Sequence, residues 1–170
     1  MIAIGPENPS SRDTIGPMRS TAPLLCMMAM LLACAAGEPE PDGPNRGTIT
    51  FNGDALLHVR IADDDQERER GLMGVTSLDT DEGMVFEFAE PTDSPFWMKD
   101  TPIPLSIAFI DEHDRIVTLL EMEPCTEEPC PTYSATDPYV LAVEANAGWF
   151  AEHGVHEGDR MDGYVGTALQ

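Results

Sequence analysis

Basic residues are scarce in this 170-residue chain: nine Lys+Arg, with Lys99 the sole lysine, face 31 Asp+Glu, for a formal charge of -22. That balance argues against phosphate backbones and anionic headgroups as partners, because both are held by clustered basic side chains. Long apolar runs are missing too. The longest, residues 22–34, holds about a dozen residues where a bilayer-spanning helix needs roughly 20. No Gly-x-Ser-x-Gly elbow, His-Glu-x-x-His pair or glycine-rich phosphate loop occurs, so none of those chemistries is signalled. What remains is an ordinary globular composition, 42% hydrophobic and 24% charged, at a length that suits one domain rather than two.

The short apolar run has the length of a signal h-region, with Arg19 before it, and Leu31-Leu-Ala-Cys34 resembles a bacterial lipobox. Residues 1–33 are therefore expected to be a signal segment, with Met18 as the expected true start and Cys34 as the lipidated first residue of the mature chain. A plain secretory signal cleaved near Ala35-Ala36, or an uncleaved anchor, are the alternatives, and each exports the domain. Ala35, not an aspartate, follows the cysteine, so the expected place is the cell envelope, as a lipoprotein of the outer membrane whose only membrane contact is its lipid. Removing residues 1–33 takes two of the nine basic and two of the 31 acidic residues, so the charge of -22 belongs to the mature chain.

Residues 34–46 are rich in Pro, Gly and acids and are expected to be a tether. Residues 47–170 are expected to form the single globular domain. Outside the signal segment only Cys125 and Cys130 remain, separated by four residues that include Pro129. An oxidising compartment favours a local disulfide between them, and no further Cys or His stands close enough to suggest a metal site.

Short runs of alternating apolar residues predict strands at 48–51, 55–61, 84–88, 139–143 and 160–165, with a β-hairpin formed by 103–109 and 115–122 around the turn Asp111-Glu-His-Asp114. Acids followed by Arg68 and Arg70 predict a short helix over 63–73, charged to suit its dipole. A second short helix is predicted over 146–154, with Asn146 as cap and Gly154 as stop. The fold class is mainly β (α+β), a compact antiparallel barrel or sandwich-like domain with two short helices.

Several ordered blocks carry a resemblance: Glu69-Arg-Gly-Leu-Met73, Asp81-Glu-Gly-Met-Val-Phe86, Phe96-Trp-Met-Lys-Asp-Thr101, Phe109-Ile-Asp111, and Glu144-Ala-Asn-Ala-Gly148 followed by Gly158-Asp159. Over roughly residues 48–166 the chain resembles the domain of unknown function 192 family, small and often exported bacterial and archaeal proteins. Asp100 stands where that family usually has Asn. The resemblance implies a mainly β fold and an exported habit, and it assigns no activity.

The aromatic block 96–101 is the expected ligand face, because in a strand Trp97 and Lys99 share one side and offer an aromatic plane and a charge, while Phe96 and Met98 turn away. Arg70 is a candidate anion clamp, with Glu144 and Asn146 in support; against this, each charge could be closed by an internal ion pair, Glu144 on Lys99 or Arg70, and Asn146 could be a cap. Met73, Met84, Met98 and Met161 raise a soft-metal question, but apolar pattern positions favour core filling. His153 and His156 straddle Gly154 without helical metal spacing, and His58 and His113 look like surface residues. Catalytic residues, metal and cofactors are not assigned. The expected function is a non-enzymatic binding or accessory module at the envelope for a small ligand or an envelope protein. Alternatives are a hydrolase of envelope glycans or peptides, needing two acids in one cleft with one pKa raised, and a protein-interaction module with an acidic surface.

Overall fold

The computed structural model describes residues 45–167, so the expected signal segment, Cys34 and the tether up to residue 44 lie outside the described residues. Alternation in the first hairpin sets the inner core: Ile49 and Phe51 on β1 (Arg46–Phe51) and Leu57, Val59 and Ile61 on β2 (Ala55–Ala62) are all buried on one side. The chain then passes through α1 (Asp65–Arg70) to β3 (Glu82–Thr92), which lies parallel to β2, with His58 opposite Glu82 and Ala62 opposite Phe86. A parallel pair needs a long crossover, and α1 with the loop behind it supplies one.

The other elements are β4 (Phe96–Trp97), β5 (Leu105–Ile110), β6 (Ile116–Met122), β7 (Thr132–Tyr133), β8 (Tyr139–Asn146), α2 (Trp149–Glu152) and β9 (Met161–Thr167). Seven strands form one sheet in the order β6-β5-β8-β3-β2-β1-β9, with every pair antiparallel apart from β2 and β3. The sheet curls into a half-barrel. Its two edge strands approach each other at one end, where Arg115 bridges Arg160 and the Ile116 amide donates to the Asp159 carbonyl at 2.9 Å. The predicted mainly β class with two short helices holds, and the parallel pair is the refinement.

β5 is buried along its whole length rather than on one face. Ala108 and Ile110 face the inner core with Val85 and Val143, closed by Trp149 and Phe150 of α2. Leu105, Ile107 and Phe109 face outward into a second core with Met84, Phe86, Met98 and Tyr139. Buried on both faces, the strand reads as a continuous apolar run. The outer core is roofed by α1, the loop after it, a ribbon of β4 paired with β7, and the loop closed by the Cys125–Cys130 disulfide, whose Cα atoms are 5.8 Å apart. That disulfide was expected; the two-residue ribbon was not.

Two expected boundaries need correction. Strand β8 runs on to Asn146, which pairs with Leu105, so the second helix starts only after Gly148 and Asn146 is not its cap. Strand β3 extends well beyond 84–88 because β2 and β8 flank it on either side.

Candidate functional site

The site lies between the outer face of the sheet and its roof. Its floor is Glu144 of β8, flanked by Met84 of β3 and Ile107 of β5 in the strand register. Gly83 lets the strands close at this point, since a Cβ there would meet the Glu144 carbonyl oxygen at 2.2 Å.

One wall is the end of α1. Asp64 caps the helix by accepting from the Glu67 amide at 2.8 Å, with acids in the first turn and Arg68 and Arg70 in the last. Arg68 is structural: its guanidinium donates to the carbonyls of Asp63 and Glu87, pairs with Asp65 at 2.5 Å and lies over the Phe88 ring. Gly71 then turns the chain at φ 45°, where a Cβ would also press on Phe86 at 3.3 Å, and the turn sends Leu72 into the outer core. Arg70, just before that turn, is exposed; its carbonyl accepts from the Met73 amide at 3.1 Å, and its side chain makes no ion pair or hydrogen bond with the described residues.

The opposite wall is residues 96–101. Met98 is buried and Phe96 packs edge-to-face on Phe86, while Trp97 remains 45% exposed with Lys99 Nζ 5.2 Å from its ring centre. Trp97 and Lys99 thus share a side, as the alternation predicted. Asp100 follows at φ 53°, a left-handed conformation that Asn and Asp tolerate best among residues with a side chain. Its carbonyl accepts from the Gly74 amide at 2.8 Å and so ties the two walls together.

The disulfide loop braces this wall. Cys125 bridges Lys99 and Thr101, and its amide donates to the Thr101 carbonyl at 3.3 Å. From the same loop Glu128 pairs with Lys99 at 3.0 Å, and this contact raises the lysine pKa above its ordinary value. Lys99 therefore pairs with an exposed acid of the roof and not with Glu144.

Glu144 is the anomaly. It is only 4% exposed, and its side chain makes no hydrogen bond or ion pair with the described residues; no buried side-chain oxygen among them is left without a partner, so its carboxyl oxygens reach the cleft. Burial alone pushes its pKa up to about 8, so the carboxyl is protonated at neutral pH. The expected closure of Glu144 onto Lys99 or Arg70 does not occur.

Arg70, Trp97, Lys99 and Glu144 line one narrow, open-sided cleft, alongside Glu69, Met73, Phe86, Phe96 and Thr101. Asn146 is not among them. Its side-chain amide donates to the Asp79 carbonyl at 2.8 Å and holds the loop ahead of β3. Sequence reasoning missed Thr101 and Glu69 as lining residues; Thr101 stood inside the block 96–101, and burial at a polar position is visible only in the fold.

Met84, Met98 and Met161 are buried core residues, divided between the outer and inner clusters, and Met73 is half-buried. His58 and His113 are exposed, as expected. His153 is engaged away from His156: it stacks on Trp149 with 4.2 Å between ring centres and lies 3.7 Å from Asp81. Among the described residues no group of three or more His, Cys, Asp or Glu is placed to hold a metal. No described helix is long and apolar enough to cross a membrane.

Comparison with known proteins gives a family and a fold. The model of DUF192, described as "Uncharacterized ACR", matches residues 47–163. A crystal structure from Sinorhizobium meliloti 1021, described as a "putative transcription regulator", is similar at 31% identity, over 72% of this chain and 92% of that one, with a TM-score of 0.61. A protein of unknown function from Novosphingobium aromaticivorans DSM 12444 is similar at 30% identity, over 69% of this chain and 84% of that one, also with a TM-score of 0.61. No curated protein matches.

Proposed function

The chain belongs to the domain of unknown function 192 family, and within it we propose an exported, envelope-tethered, non-enzymatic module that binds a small ligand in the cleft over Glu144. One observation supports this reading: the carboxyl of an otherwise buried Glu144 opens, with no side-chain partner in the protein, onto a cleft walled by the Arg70 side chain and the exposed Trp97. A carboxyl that meets the cleft and no protein group is open to a hydrogen bond from a ligand, in surroundings apolar enough to strengthen that bond. The lipobox-like segment ending at Cys34 supports the location.

The name attached to the Sinorhizobium structure has no counterpart in this chain's electrostatics. A charge of -22 repels a phosphate backbone, so no nucleic-acid role is proposed.

Thermal unfolding of wild type and Lys99→Met against sugars, amino acids, nucleotides and carboxylic acids tests the binding reading. One compound class should raise the melting temperature of the wild type, by about 2.7 kcal/mol of stabilisation at 100 times its dissociation constant, and less in the variant. A flat response across all classes refutes it. For the anchor, Cys34→Ser should release the chain from the membrane fraction; unchanged fractionation refutes lipidation.

A hydrolase is the second reading, because Glu69 lines the same cleft as Glu144 and burial holds the latter's proton. Release of reducing ends or free amines from envelope glycans or peptides, abolished by Glu144→Gln, would favour it over a pure binding role.

A further inference from the structure

Resting on that binding reading, the cleft's polar groups also define the chemical class of its ligand. Arg70 presents a planar fork of N–H donors with no acid engaged on it, in a chain that carries 31 Asp+Glu. Such a fork matches the two coplanar oxygens of a carboxylate. The floor presents an O–H donor and no charge, because Glu144 sits between Met84 and Ile107, both apolar.

The charged groups facing Glu144 across the cleft are Arg68, Glu69 and Arg70 from α1 and Lys99 from the opposite wall. Of the cations, Arg68 is held by Asp65 and two carbonyls and Lys99 by Glu128, which leaves Arg70 open. One open fork and one O–H donor complement a single negative charge shared over two oxygens. A phosphate dianion needs a second open cation, which this cleft does not offer. Trp97, with Phe86 and Phe96 beside it, supplies a flat apolar surface at the open side of the cleft, against which the body of a small molecule can lie.

We propose that the cleft holds a small flat carboxylate, its two oxygens on the Arg70 guanidinium fork and one of them also accepting from the Glu144 carboxyl O–H, with its body against Trp97. Above the point where Glu144 ionises, its O–H donor is lost and a negative charge faces the ligand, so binding weakens. Glu144→Gln keeps a donor of the same shape and cannot ionise.

Calorimetric titration of the full chain with benzoate, and with benzamide as its uncharged equivalent, tests the proposal. Benzoate should bind at pH 7 at least tenfold tighter than benzamide. With the Glu144 pKa pushed up to about 8, benzoate affinity should fall about tenfold between pH 7 and pH 9. Arg70→Gln, an exposed substitution that leaves the fold intact, should lose tenfold or more, and Glu144→Gln should bind benzoate equally at both pH values.

Equal binding of benzoate and benzamide, an unchanged affinity in Arg70→Gln, or a flat wild-type pH profile overturns the carboxylate assignment. If benzoate fails while another compound is held in a Lys99-dependent manner, the carboxylate class falls and the binding module stands. If nothing binds at all, both fall.

Discussion

Glu144 makes a measurable demand on stability. Its carboxyl pairs with no side chain or cation, and burial of the residue moves its pKa from the ordinary 4.5 to about 8. Between those two values the folded chain keeps a proton that the unfolded chain has released. The unfolded state then binds fewer protons, so stability falls as pH rises. The contribution is intact below about pH 4.5, declines by about 1.4 kcal/mol per pH unit above it, and levels off near pH 8. The whole span amounts to roughly 5 kcal/mol, of which about 3 kcal/mol is lost by pH 7. Glu144→Gln has the same shape as the protonated residue and no titration, so it should match the wild type near pH 4 and exceed its stability by several kcal/mol at pH 8. Urea unfolding followed by circular dichroism at pH 4, 5, 6, 7 and 8 measures this. The difference between the two proteins isolates Glu144 from the other acids, whose titration both share. Parallel stability profiles from pH 4 to pH 8 would refute the claim that Glu144 is buried and unpaired.

Gly83→Ala should destabilise by about 3 kcal/mol, because the added Cβ meets the Glu144 carbonyl oxygen at 2.2 Å and Leu57 Cδ2 at 3.0 Å; a melting temperature within a degree of wild type would contradict the strand spacing at the floor. Replacing Cys125 and Cys130 together by Ala should cost about 2 kcal/mol, the loop-closure entropy of so short a span, and a reductant should act on the wild type in the same way. Identical urea midpoints with and without reductant would show that the roof stands without its bridge.

Much of the scaffold was readable from residue order because it rests on local rules. The alternation of Leu57, Val59 and Ile61, the paired acids and arginines of α1, and the hairpin around Asp111-Glu-His-Asp114 each announce their element within a few residues. The errors came where distant segments decide. Asn146 looks like a cap because Gly148 and an aromatic pair follow it, yet Leu105, far along the chain, pairs with it and keeps it in β8. The ribbon of Phe96–Trp97 with Thr132–Tyr133 has two residues a side, too short for any periodicity to mark. The parallel pairing of β2 and β3 is likewise a matter of how a crossover folds back, which no window along the chain contains.

The candidate site divides along the same line. Trp97 and Lys99 were legible because a strand-like spacing puts them on one side, and Arg70 because the last turn of a helix exposes it. Glu144 was named with them, but against the alternative of an internal ion pair, because in a chain this acidic the economical expectation is that a buried acid meets a cation. Three cations near the site are instead engaged with other acids: Arg60 on Glu82, Arg68 on Asp65 and Lys99 on Glu128. An apolar residue between Met84 and Ile107 would remove the burial cost of a carboxyl altogether, since both flanking positions are already apolar. Arg70 stands in the same cleft and is equally without a partner. Two opposite groups that share a cleft and leave each other unsatisfied are what a site looks like when it is complementary to a third molecule. Departures of this kind from local economy concentrate where a protein binds or reacts.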